Sequence, residues 1–311
     1  MITNSLRRKF VKDQGLPISV IDGEMFAYFL GLYDPIYNCI AKYAEFCECV
    51  KLCGGEEGYS SHIFHFVEDM MNAISSTVAY KEMNNKKVVI EYTPIVKVNS
   101  TDIYHKSFSD RKMISIDLRS ANFNALRYVA EDAVLGCATY DELASKFTTH
   151  KYIRDNKQLR QVVFGKLNPG KLIGIQKIML NMICDNIMTE YPYFELSLMG
   201  SDEVIVTSYG DLEPYEAYLR VTDCIPPSVD FFNAQIFELQ QVHYERHYFI
   251  RKPWVLSEDG KLLEYGQFVF KSVPGVFFPQ VYKNFFGLDL NDNDLMFLYE
   301  GQASKFLKGI Y

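Results

Sequence analysis

Two acids stand where a β-strand would meet a turn. Residues 113–118 read Met-Ile-Ser-Ile-Asp-Leu, so Asp117 closes an apolar run, and Asp202 follows 85 positions later in Gly-Ser-Asp-Glu-Val-Ile-Val-Thr. A strand end holds a carboxylate rigidly at the rim of a sheet. Two such groups about 3–5 Å apart can share Mg²⁺ (or Mn²⁺) and move phosphoryl groups, one ion activating a 3′-hydroxyl and one holding a triphosphate. Glu203 adjoins this pair and is a third acid for the metals or the primer end. Between the acids lies a basic stretch with Lys157, Arg160, Phe164, Lys166 and Lys171. Arg160 sits one helical turn before Phe164, so the cation can meet phosphates while the ring stacks on a base. Lys157 and Lys166 add positive charge, and Lys171 stands near a helix start, where free N–H groups already favour phosphate.

The elements that must position these groups are legible from periodicity. Residues 21–82 carry apolar and aromatic residues at helical spacing, interrupted at Cys53-Gly-Gly-Glu-Glu-Gly. Residues 88–98 are rich in Val and Ile and predict a strand. A strand then ends at Asp117, and helices are expected over 121–129, 140–147 and 155–164. Gly165-Lys-Leu-Asn-Pro-Gly breaks the last of these before an apolar helix over 171–188. Residues 194–199 and 203–207 flank Gly200-Ser201-Asp202 and predict a β-hairpin with an acid at its tip. The last hundred residues mix strands with turns and close on an amphipathic segment, 294–307. Three segments are expected: a helical region over 1–87, a catalytic core over 88–211, and a mixed α/β region over 212–311. The predicted class is α+β, an antiparallel sheet with packed helices.

In this order the segments resemble the palm and fingers motifs of family A DNA polymerases and single-subunit RNA polymerases, over residues 113–208. Asp117 matches the first motif, an Asp after an apolar strand. Arg160, four residues before Phe164-Gly165, matches the second. Ser201-Asp202-Glu203 matches two of the three positions of the third, where the family has His-Asp-Glu. The resemblance implies a polymerase-like palm and template-directed nucleotidyl transfer from an NTP or dNTP to a 3′-hydroxyl. It implies Mg²⁺ held by Asp117 and Asp202, with template, primer and nucleoside triphosphate as partners and a possible protein partner in a replication complex. Asn122 stands where the DNA polymerases carry a Glu that excludes the ribose 2′-OH, and Asn168 where they carry a Tyr. Asn both donates to and accepts from a 2′-OH, so the choice of DNA or RNA is left open. A polymerase-like fold that has lost catalysis and serves as a nucleic-acid-binding or replication scaffold is the alternative.

Composition narrows the remaining classes. A formal net charge of −7 argues against non-specific coating of nucleic acid while allowing a local basic groove. Seven cysteines, an odd number in a chain of this size, with no apolar signal segment after the basic start, predict free thiols and an intracellular setting. No apolar run reaches the roughly 18 residues a membrane span needs. Cys47, Cys49, Cys53, His62 and His65 are the right ligand types for zinc, but their spacing matches no known zinc motif, and core packing explains them as well. Gly165-Lys-Leu-Asn-Pro-Gly-Lys lacks the spacing of a P-loop. Lys271, Lys283 and Lys305 with Phe277, Phe278 and Phe285 form either a basic–aromatic face or, more simply, a core with snorkelling lysines.

Overall fold

The computed structural model describes residues 2–87, 89–96, 102–208, 212–226, 230–243, 246–257 and 262–307. Five helices form the N-terminal region: α1 (Asn4–Gln14), α2 (Gly23–Tyr37), α3 (Cys39–Leu52), α4 (Glu56–Ser76) and α5 (Val78–Asn85). Thr3 caps α1 by accepting from the Leu6 N–H, and Gly15 ends it in the left-handed conformation that glycine takes without strain. The aromatic spacing seen in the sequence becomes one interior. Phe10 of α1 meets Phe26, Tyr43 and Phe46, and Phe46 in turn packs on Tyr59. Aromatic pairs at these separations stabilise beyond their buried area.

Residues 89–96 do not form the strand their composition predicts. The N–H groups of Ile95 and Val96 donate instead to the Asp185 carboxylate, at 2.9 and 2.8 Å, as does the Tyr92 hydroxyl. Pro94 has no N–H to give a ladder. These donors outweigh the desolvation that would raise Asp185 and leave its pKa lowered. Residues 88, 97 and 98 of the expected strand lie outside the described residues.

β1 (Lys112–Leu118) leads into α6 (Ala121–Val129). Three further helices follow: α7 (Tyr140–Ser145), α8 (Lys151–Asp155) and α9 (Lys157–Gly165). The apolar α10 (Pro169–Glu190) runs to the hairpin of β2 (Phe194–Met199) and β3 (Glu203–Ser208), as periodicity predicts. After α11 (Pro214–Asp223) come β4 (Phe232–His243), β5 (Tyr248–Leu256), β6 (Leu262–Tyr265) and β7 (Val269–Lys271), then α12 (Phe278–Phe285). The amphipathic 294–307 segment contributes a small hairpin, β8 (Met296–Tyr299) and β9 (Gln302–Lys305).

The protein is therefore mixed α+β around an antiparallel sheet. Its strand order is β2-β3-β1-β4-β5-β6, with β7 also on β5, so β1 is central and pairs with both β3 and β4. The sheet draws on both the 88–211 and the 212–311 segments. Alternation along β1 puts Ile114, Ile116 and Leu118 into the main core with the helices. Met113 goes to a second, smaller cluster on the other face with Ile205, Phe237 and Phe249. Lys283 is buried against Asp294 at 2.8 Å, and Phe278 and Tyr282 are core, so this part of the C-terminal aromatic set is interior. Among the described residues no helix is long and apolar enough to cross a membrane.

Candidate functional site

Strand register builds the acidic part of the site. Asp117 lies directly opposite Glu203 on β3 and Asn233 on β4. One residue on, the Leu118 N–H donates to the Asp202 carbonyl at 2.8 Å. The tip of the β2–β3 hairpin is thereby hydrogen-bonded to the end of β1, and Asp117 and Asp202 come together at one sheet end. Both are exposed. Burial of its surroundings, then the charges of Asp202 and Glu203, raise the Asp117 pKa, with Lys157 and Arg251 opposing. Crowded acids of this kind favour a bound cation, and exposed carboxylate oxygens are the donor type that a hard divalent ion takes.

Asp117 and Asp202 line a polar cleft of about 170 Å³ together with Ser120, Asn122, Lys157, Arg160 and Gln161. Two helix starts form its walls. Ser120 adopts a left-handed conformation (φ 44°) and gives α6 no side-chain cap, so the first amide groups of α6 stand at the cleft without one. Asn156 caps α9 by accepting from Gln158 and Leu159 at 2.9 and 3.1 Å, and Lys157, Arg160 and Gln161 follow on one face at i, i+3 and i+4. Arg160 lies over the ring of Tyr140, 5.2 Å from its centroid, and burial lowers its pKa, partly offset by Tyr140. Among the described residues Arg160 makes no ion pair. The Asn122 side-chain oxygen accepts from Gln176 at 2.7 Å, which orients its amide and leaves the NH₂ as the donor on offer.

Glu203 is engaged elsewhere. The Arg251 guanidinium binds it through both oxygens, at 2.5 and 3.1 Å, while lying over the rings of Phe237 and Tyr104. This bidentate pair neutralises the acid opposite Asp117. Lys271 is near the same group: burial and the charges of Arg251 and Lys157 lower its pKa, while Glu203 and Asp117 raise it.

Besides Glu203, four residues expected at the site do not line this cleft. Phe164 is fully buried, with its ring against Phe123 and Tyr140, so it supports the platform under Arg160 and has no free face for a base. Lys166 pairs with Glu68 at 3.2 Å. The Lys171 ammonium donates to the carbonyls of Met83, Asn84 and Lys86, which closes the C-terminal end of α5. Asn168, left-handed at φ 52°, caps α10 through the Lys171 N–H and donates to Asn84 at 2.7 Å. Periodicity cannot separate a helix face that meets a cleft from one that meets another helix.

Three contributors escaped the sequence reading. Gln161 was legible, because it shares the face of Lys157. Ser120 carries a weak signal as a serine before a helix. Arg251 carries none, since its role depends on β5 lying two strands away from β1 through β4. Comparison with protein-family models, curated proteins and solved structures finds no match to this chain.

Proposed function

We propose that this chain is a Mg²⁺- or Mn²⁺-dependent nucleotidyltransferase with a polymerase-like palm, joining a nucleoside triphosphate to a 3′-hydroxyl on a template. The observation that carries the reading is that one cleft is lined by Asp117 and Asp202 together with Lys157, Arg160 and Asn122. Opposite charge types lining one cleft suit a substrate that is itself a metal–triphosphate. Divalent ions held there would supply charge neutralisation and activation of the attacking hydroxyl.

The chain's own residues account for the rest. Asp117 and Asp202 present carboxylate oxygens from rigid strand ends. Lys157 and Arg160 take the negative charge of the phosphates, Arg160 with its planar fork pre-set on Tyr140. The α6 amide groups add fixed dipoles to the same wall. Asn122, held by Gln176, offers an NH₂ to a sugar hydroxyl. Arg251 keeps Glu203 off the metal position, so the pair rather than a triad of acids binds.

A second reading, a catalytically silent nucleic-acid-binding scaffold, draws on the burial of Phe164 and the engagement of Lys166 and Lys171 in packing. Primer extension with and without template, in Mg²⁺ and in Mn²⁺, tests both. Asp202→Asn is expected to abolish extension while leaving the unfolding midpoint within about 2 °C, as befits an exposed residue. Extension at the wild-type rate in that variant overturns the enzyme reading. Divalent binding that is absent in the wild type favours the scaffold.

A further inference from the structure

A second cluster lies away from the cleft, where α3 ends and α8 begins. Cys49 is in the last turn of α3 and Cys53 is its C-cap, four residues on and therefore on the same helix face. His150 is the N-cap residue of α8. One ligand atom from each of Cys49, Cys53 and His150 lies within 4.8 Å of the others, and the Cys53 sulfur is 3.6 Å from the His150 Nε2. A tetrahedral zinc with Zn–S about 2.3 Å and Zn–N about 2.05 Å separates sulfur from nitrogen by about 3.6 Å and sulfur from sulfur by about 3.8 Å. The chain thus holds a sulfur–nitrogen edge of the right length. A fourth donor is at hand: the His62 ring stands edge-on to that of His150, centroids 4.9 Å apart, with its Nε2 on the Thr148 hydroxyl at 2.9 Å.

We propose that Cys49, Cys53, His150 and His62 form a structural zinc site, with His62 turning from Thr148 to complete the tetrahedron. Of the zinc ligands that composition alone offered, Cys47 and His65 are outside this set. His150, 97 residues after Cys53, enters it only through folding. The donor set is soft and nitrogenous, matched to zinc and unlike the oxygen donors of the Asp117–Asp202 cleft. A metal here ties α3 and α4 to α8, and α8 leads through Asn156 directly into α9 with Lys157 and Arg160. The site therefore anchors the basic wall of the cleft to the N-terminal helical region without entering it.

The test uses the full chain, isolated under reducing conditions, stripped with a chelator and titrated with Zn²⁺ and with Co²⁺. One equivalent of zinc is expected to bind and raise the unfolding midpoint, and Co²⁺ should give the intense visible bands of a tetrahedral ion with thiolate-to-metal charge transfer. Cys53→Ser and His150→Gln, both partly exposed positions, should lose stoichiometric binding and the zinc-dependent rise while keeping the helical circular dichroism of the metal-free wild type. His62→Ala should weaken binding by about tenfold or more, in line with the loss of a ligand or its close support. Failure of the wild type to bind a stoichiometric ion, or binding unchanged in Cys53→Ser and His150→Gln, would overturn the site. Unchanged affinity in His62→Ala would remove His62 from it. None of these readouts involves nucleotide transfer, so they stand or fall separately from the polymerase reading.

Discussion

The Arg251–Glu203 pair gives the most quantitative test of how the cleft is built. Arg251→Met removes the guanidinium, with its cover of Phe237 and Tyr104, and keeps an apolar stem of similar length. Glu203 then loses its hydrogen-bonded counter-charge, opposite Asp117 and beside Asp202, and keeps only the field of Lys271. The pair is largely buried, with side-chain exposures of 12% and 21%, and it makes two charge-assisted hydrogen bonds. Breaking one side of a buried pair costs about 3–5 kcal/mol. Since Glu203 keeps one-fifth of its surface in water, the lower end, about 3 kcal/mol, is expected. At about 1.5 °C per kcal/mol for a chain of 311 residues, the midpoint should fall by about 5 °C. Glu203→Gln should cost less, because the guanidinium keeps its two aromatic faces. The double variant should recover about 2 kcal/mol relative to the sum of the singles, as contacting partners do in a double-mutant cycle. The assay is urea unfolding followed by far-ultraviolet circular dichroism and by Trp254 fluorescence, at pH 7 and at pH 4. The deficit of Arg251→Met should shrink at the lower pH, because Asp117, whose pKa burial and the neighbouring acids raise, takes up a proton and ceases to repel Glu203. A coupling energy near zero, or a deficit that does not change with pH, would refute this account of the acidic end.

Asp117→Asn should do two things. It should abolish divalent binding at the cleft, read by calorimetry, and in metal-free buffer it should stabilise the protein slightly, by about 0.2–1 kcal/mol at pH 7, since like charges opposite each other on a sheet destabilise. The sign follows from the raised pKa of Asp117. The folded state binds the proton more tightly than the unfolded one, so wild-type stability falls as pH rises from about 4 through that raised value, and the Asn variant lacks this fall. A variant that is less stable than wild type at pH 7 would contradict it. Phe164→Ala should cost about 3–5 kcal/mol in unfolding experiments, as large-to-small changes in a fully buried ring do. Arg160→Ala should leave stability within about 1 kcal/mol and weaken triphosphate binding in a fluorescence titration. The reverse pattern for the two residues would return Phe164 to the cleft.

Local pattern alone specified a good part of this molecule. The helices over 21–82, the strand ending at Asp117, the helix carrying Lys157 and Arg160, and the hairpin tipped by Asp202 all follow from hydrophobic period and turn chemistry. Those signals lie within a dozen residues of one another. The pairing of Asp117 with Asp202 was an expectation drawn from motif order; the β1–β3 register sets Asp117 opposite Glu203 and ties Leu118 to Asp202, which brings both acids to one end of the sheet. Other features depended on contacts between distant segments. Residues 89–96 are strand-like in composition, yet Asp185 captures their N–H groups. Phe164 and Lys171 have the residue types of a nucleotide site, but one is enclosed by Phe123 and Tyr140 and the other is spent on the carbonyls that end α5. Arg251 and His150 have no local signature, because their partners Glu203 and Cys53 are 48 and 97 residues away. A sequence carries the period of each element and the chemistry of each side chain. Which of several equally suitable cations faces the acids is decided only when the elements pack and one face of each is covered.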